Sequence, residues 1–114
     1  MKKILFILLF IYPQFTLAGN LYCRGTIKNL YVDNSNMLIV HGSWRADYTK
    51  LCNTAGDDNV NAQTCALWAS ILMKSVTDNK EVIVKYPNVD GSASCNNLLT
   101  FHNSPSPYYV MLVK

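Results

Sequence analysis

Four cysteines, Cys23, Cys52, Cys65 and Cys95, constrain this chain more than any other feature. Their meaning depends on the compartment, and the start of the chain points to one. Lys2 and Lys3 precede an apolar run from Ile4 to Tyr12, Pro13 breaks it, and Thr16-Leu17-Ala18 follows. A basic start, a short apolar middle and a small last residue make a secretory signal peptide over residues 1–18, cleaved after Ala18. The run is far short of the roughly 20 residues that span a bilayer. Residues 19–114 are then expected to form a single domain, secreted or periplasmic, in an oxidising compartment where an even set of cysteines closes disulfides. No Cys-x-x-Cys pair occurs, which argues against a zinc site, and neither a metal nor a cofactor is expected. Four cysteines allow three pairings. The favoured one joins Cys52 to Cys65, from a strand end to the first turn of a helix, and Cys23 to Cys95, from the first strand to a long loop.

Half the residues are hydrophobic and 15% are charged, which excludes a disordered or highly charged chain. The formal charge of +3 falls to about +1 once Lys2 and Lys3 leave, so no basic stripe points to nucleic acid. Along the chain, Leu21 to Val32 reads as a strand bent at Gly25, and Asp33-Asn34-Ser35-Asn36 as a tight reversal. Met37 to Val40 starts a second strand, and Tyr48 to Cys52 a third. Ala62 to Thr77 is the one convincing helix, with Asn61 as its N-cap and Asn79 suited to a left-handed end. Glu81 to Tyr86 and Tyr108 to Val113 are further strands, separated by a polar loop from Pro87 to Ser106. The expected fold is mostly β with one helix: a small five-stranded barrel of the oligonucleotide/oligosaccharide-binding class, the helix between strands 3 and 4, with a sheet carrying one helix on its face as the alternative.

No nucleophile elbow, zinc-protease helix motif or phosphate-cradling glycine loop occurs, and bridged cysteines offer no thiolate. His41 and His102 belong to no recognisable motif, so no catalytic residue is assigned and no enzyme is expected. The segment Ser43-Trp44-Arg45-Ala46-Asp47-Tyr48 puts an indole, a phenol, a guanidinium and a carboxylate beside a strand reversal. Aromatic faces pack on the apolar face of a pyranose while Arg and Asp bond its hydroxyls. Trp44, Arg45, Asp47 and Tyr48 are therefore candidate glycan contacts, set against the plainer reading of a hairpin end with a packed Trp. In the helix, Cys65, Trp68, Ala69, Leu72 and Val76 share one face. Leu67, Ile71 and Lys74 lie on another, which marks them as a candidate oligomer interface unless Leu98, Leu99 or Phe101 of the long loop covers it.

The run Leu51-Cys52, Thr64-Cys65-Ala66-Leu67-Trp68 and Asp78-Asn79-Lys80-Glu81-Val82-Ile83-Val84-Lys85-Tyr86 resembles the B subunits of pertussis-like and subtilase-cytotoxin-like bacterial A–B toxins. It is most similar to their short homologues of the typhoid-toxin type. The resemblance implies a barrel assembled as a homopentamer, helices lining a pore, that binds a host-cell glycan and carries an enzymatic A subunit. In sialic-acid-binding members a serine early in the first strand grips the sugar. Laying Ile27 and Leu30 on the matching apolar positions puts Cys23 there, and a bridged cysteine has no hydroxyl to offer. Tyr22, Arg24 and Thr26 remain as glycan contacts beside it. The alternative is a small periplasmic inhibitor or adaptor that holds a partner enzyme with the loop from Asn88 to Ser106.

Overall fold

A computed structural model describes residues 19–114; the expected signal peptide lies outside the described residues. Six strands and one helix follow in the order β1 (Gly19–Gly25), β2 (Ile27–Val32), β3 (Met37–Gly42), β4 (Thr49–Asn53), α1 (Ala62–Asp78), β5 (Val82–Val89) and β6 (Tyr109–Leu112). They form two three-stranded antiparallel sheets, ordered β1-β5-β6 and β2-β3-β4.

This corrects the five-stranded barrel expected from the sequence. The continuous strand foreseen from Leu21 to Val32 is broken at Thr26, and its halves join different sheets. The cause is local. Thr26 turns both backbone groups to the β3–β4 connection: its N–H donates to Ser43 Oγ at 3.0 Å and its carbonyl accepts from Ser43 N–H at 2.8 Å. No ladder can pass through a residue whose donor and acceptor are both taken. Nor does the segment between β5 and β6 close the gap. Its contribution to pairing is an isolated bridge between Thr49 and Phe101. The helix accordingly lies between the fourth and fifth of six strands.

Side chains alternate across each strand, so one face of each sheet turns inward. Val82, Val84 and Tyr86 of β5 meet Leu38 and Val40 of β3, Leu51 of β4 and Cys23 of β1. The helix packs against β2, β4 and β6 and closes this core with Cys65, Trp68 and Leu72. Leaving water is worth roughly 1.5–3 kcal/mol for each large apolar side chain so buried. Its ends follow from local chemistry. Asn61 accepts from Thr64 N–H at 2.8 Å, and Asn79 takes the left-handed conformation at φ 52°. Inside the helix the buried fourth position is Ser75 rather than the expected Val76, which is exposed. Ser75 Oγ donates to the Lys80 carbonyl at 2.5 Å and accepts from Ile27 N–H at 3.2 Å, tying the start of β2 to the end of α1. A hydroxyl with two backbone partners can be buried where an apolar side chain would leave both groups unpaired.

Two disulfides are present: Cys52–Cys65 and Cys23–Cys95. The first spans 13 residues of sequence, a loop closure worth about 3 kcal/mol in the chain-entropy model. The second pins the long loop to β1. Such cross-links are compatible with an oxidising, extracytoplasmic setting. Among the described residues no helix is long and apolar enough to cross a membrane.

Candidate functional site

The outer face of the β2-β3-β4 sheet carries a group of rings drawn from four segments. Tyr48, just before β4, is its centre. The Tyr48 centroid lies 5.8 Å from that of Tyr31 on β2, 5.1 Å from His41 on β3 and 6.1 Å from Phe101 in the long loop. Phe101 lies nearly parallel to Tyr48, with 25° between planes. Ile39, paired with Tyr31 across the β2–β3 ladder, is buried on this face and stands apart from the main core. Tyr31 and Phe101 remain about two-fifths exposed, at 39% and 41%.

Phe101 is held there at some cost. Its φ is +49°, a left-handed conformation that costs a bulky L residue roughly 1–3 kcal/mol. The bridge to Thr49 and the bond from Phe101 N–H to the Tyr48 carbonyl, 3.3 Å, hold the backbone in place. The result is an apolar ring kept at the surface beside another.

Polar groups edge the rings. His41 Nε2 stands 3.0 Å from the Arg45 carbonyl. A carbonyl only accepts, so Nε2 carries the proton and Nδ1 is left as the acceptor, 3.5 Å from the Asn29 amide. The same amide donates to the Tyr48 hydroxyl at 3.4 Å. Asp47 takes Tyr48 N–H on its carboxylate at 2.7 Å, which sets the direction of the Tyr48 backbone.

The structure divides the residues expected to touch a glycan. Tyr48 and Asp47 belong to this ringed surface. Trp44 does not: its ring lies over Gly25 and Gly42, where a Cβ on Gly42 would come within 2.4 Å of the indole. Arg45 turns inward, donating to the Leu98 carbonyl at 2.8 Å and to Thr49 Oγ1 at 3.4 Å, and so anchors the long loop. Thr26 serves the strand break already described. Arg24 pairs with Glu81 at 2.6 Å on the exposed side of β1. Tyr22 lies on the outer face of the other sheet, where it, Tyr108 and Tyr109 surround the Lys85 ammonium at 5.8, 5.1 and 5.8 Å. Tyr31, His41, Asn29 and Phe101 were not foreseen as site residues. Alternation could have put Asn29 and Tyr31 on one face of β2, but nothing local ties Phe101 to Tyr48.

On the helix, Leu67 is 60% exposed and Met73 58%. Ala66 and Ser70, also exposed, lie between them on the helical surface, and Ser70 Oγ bonds back to the Ala66 carbonyl at 3.3 Å. Ile71 is half-buried and packs against the core, and Lys74 pairs with Asp78 at 2.5 Å. The long loop does not cover Leu67: Leu98 enters the core, Phe101 goes to Tyr48, and Leu99 stays exposed beside a cleft of about 390 Å³ at the end of β5.

Among the described residues no group of three or more His, Cys, Asp and Glu side chains could hold a metal ion. Comparison with family models, curated proteins and solved structures finds no match to this chain.

Proposed function

We propose that this chain is a non-enzymatic, glycan-binding subunit that acts in the periplasm or after secretion and self-associates through the outward face of α1. The observation that carries the binding half is Phe101, strained at positive φ yet left exposed against Tyr48. Backbone strain that only keeps a ring at the surface is better explained by a ligand than by stability. Two near-parallel rings edged by an imidazole, an amide and a carboxylate suit a pyranose, whose apolar face stacks while its hydroxyls meet the polar rim. The self-association half rests on Leu67 and Met73, apolar and in water on a face of small side chains. Weak single sites gain strength when several copies present them together. The resemblance to toxin B subunits rests on the run from Cys52 to Tyr86; the barrel it also implied is corrected by the two-sheet fold, and delivery of an enzymatic subunit is left outside this proposal. The inhibitor or adaptor alternative rests on the segment from Asn88 to Ser106, which Cys95, Leu98 and Phe101 hold in place; a held loop can still meet a partner enzyme, and capture of a stoichiometric enzyme in place of a glycan would favour that reading.

The decisive experiment is a glycan array on the mature chain together with its native mass. Retention of a defined subset of glycans by an assembly larger than one chain supports the proposal. A monomer that retains none sinks it. Leu67→Glu is expected to lower the native mass while the far-ultraviolet dichroism stays the same.

A further inference from the structure

Beside the ringed surface, and sharing His41 with it, lies an open concavity of about 520 Å³. Its walls come from four segments: Lys28 of β2, His41 of β3, Ser43 to Ala46 of the β3–β4 connection, and Asn96 of the long loop. No carboxylate lines it, and among the described residues Lys28 has no acidic partner.

His41 is engaged by its own neighbours, Nε2 with the Arg45 carbonyl and Nδ1 with the Asn29 amide, and the other polar side chains on these walls are left as donors. Ser43 Oγ already accepts from Thr26 N–H, so its O–H is free to point outward. Asn96 Oδ1 already accepts from Ser94 Oγ at 2.5 Å, which leaves its NH2 as the outward group. Lys28 can only donate. Trp44 and Arg45 also line the concavity, and the Arg45 guanidinium adds a second positive charge to that of Lys28. A site whose unengaged side-chain groups are donors and positive charge, with no carboxylate among them, suits an anion.

The shape of the anion follows from Arg45. A planar carboxylate is best held by a two-pronged guanidinium. Here Nη1 is already bonded to the Leu98 carbonyl and Thr49 Oγ1, and Nε is buried, so neither pair of guanidinium nitrogens is free for a two-pronged grip. What remains is an ammonium, a hydroxyl and an amide on three different walls. These are point donors, and they match a tetrahedral group with three terminal oxygens. We propose that this concavity binds the sulfate or phosphate ester of a sugar whose ring lies on Tyr48 and Phe101. The inference rests on the glycan-binding reading and adds the substrate class.

The test is an array of matched glycans: a neutral parent, its sulfate ester, its phosphate ester and a carboxylated counterpart, probed with the wild-type chain and with Lys28→Gln. Lys28 is exposed, so the substitution leaves the fold intact. The wild type is expected to hold the esters about tenfold more tightly than the parent, the scale of one charge-assisted bond, with the preference reduced on raising salt. Lys28→Gln should reduce that preference severalfold and leave the neutral parent unchanged. Equal binding of ester and parent, or a carboxylated glycan held best, overturns the inference while the glycan-binding reading survives. Retention of no glycan of any kind overturns both.

Discussion

On the outer face of the β1-β5-β6 sheet, Tyr22, Tyr108 and Tyr109 surround an ammonium, that of Lys85. On the outer face of the β2-β3-β4 sheet, Tyr31, His41 and Phe101 surround another ring, that of Tyr48. Each group is three rings about a centre, and the centres differ. The first group is filled by the chain's own cation, which satisfies the electron-rich ring faces. The second is filled by the Tyr48 phenol, whose ring adds apolar area, and it is edged with hydrogen-bonding groups. A patch of aromatic residues therefore says little until it is known what stands in its middle.

The sharpest way to break this contrast is paired truncation. Tyr48→Ala removes the centre of the second group and is expected to weaken glycan binding by about 2 kcal/mol or more, as for a central aromatic anchor. Tyr22→Ala, on the other face, should change it less than twofold. Titration against the best glycan from an array checks both, and equal losses would mean that the two faces are not functionally distinct.

A second prediction concerns the inward side of the strand that carries Lys85. Burial pushes the Tyr86 phenol well above its ordinary range, an effect the nearby Arg45 guanidinium partly offsets. The folded chain thus keeps a proton that the unfolded chain releases. Stability is fully present below the unfolded phenol's pKa of about 10, then falls as pH rises, by up to about 1.4 kcal/mol per pH unit from this group. In Tyr86→Phe that part of the alkaline loss should disappear. The hydroxyl has no partner, so stability at neutral pH should hold or rise. Denaturant melts between pH 7 and 11 on both proteins read this out.

Removing the cation tests the first face directly. Lys85→Met keeps most of the stem and deletes the charge, and it is expected to cost about 0.5–1 kcal/mol in stability with no change in glycan affinity. A loss of affinity would relocate the ligand to the tyrosine group. The smallest net effect on stability is expected for Phe101→Gly. Glycine relieves the positive φ, worth roughly 1–2 kcal/mol, while the lost ring contact opposes it. The melting temperature should move little although binding falls, and a large stabilisation with binding intact would show that the strain serves no ligand.

Much of the local structure was legible in the residues. Asp33 supplies one carboxylate oxygen to Ser35 N–H and Met37 N–H, at 2.9 and 3.0 Å, so the turn cluster announces itself within five residues. The helix was readable for the same reason, from Asn61 through an apolar stripe to Asn79. Where such reading went astray, a distant partner intervened. Val76 had the right spacing for burial, but the backbone groups of Ile27 and Lys80 needed a hydroxyl and Ser75 supplied it. The fragment Ser43 to Tyr48 offered a sugar site beside the plainer reading of a hairpin end with a packed Trp. In fact its members separate: Trp44 packs on two glycines, Arg45 reaches across to Leu98, and Tyr48 and Asp47 go to the ringed surface.

From the sequence alone come the elements and their bends, the helix with both its ends, the reversals, and four cysteines fit for two cross-links. Each depends on periodicity or on hydrogen bonds between near neighbours, interactions whose partners are set by position in the chain. Only the tertiary structure decided that the first long strand divides at Thr26 between two sheets, and that Phe101 comes to rest on Tyr48. Those outcomes turn on which of several distant donors, acceptors and apolar faces meet, and residue order places no two of them side by side.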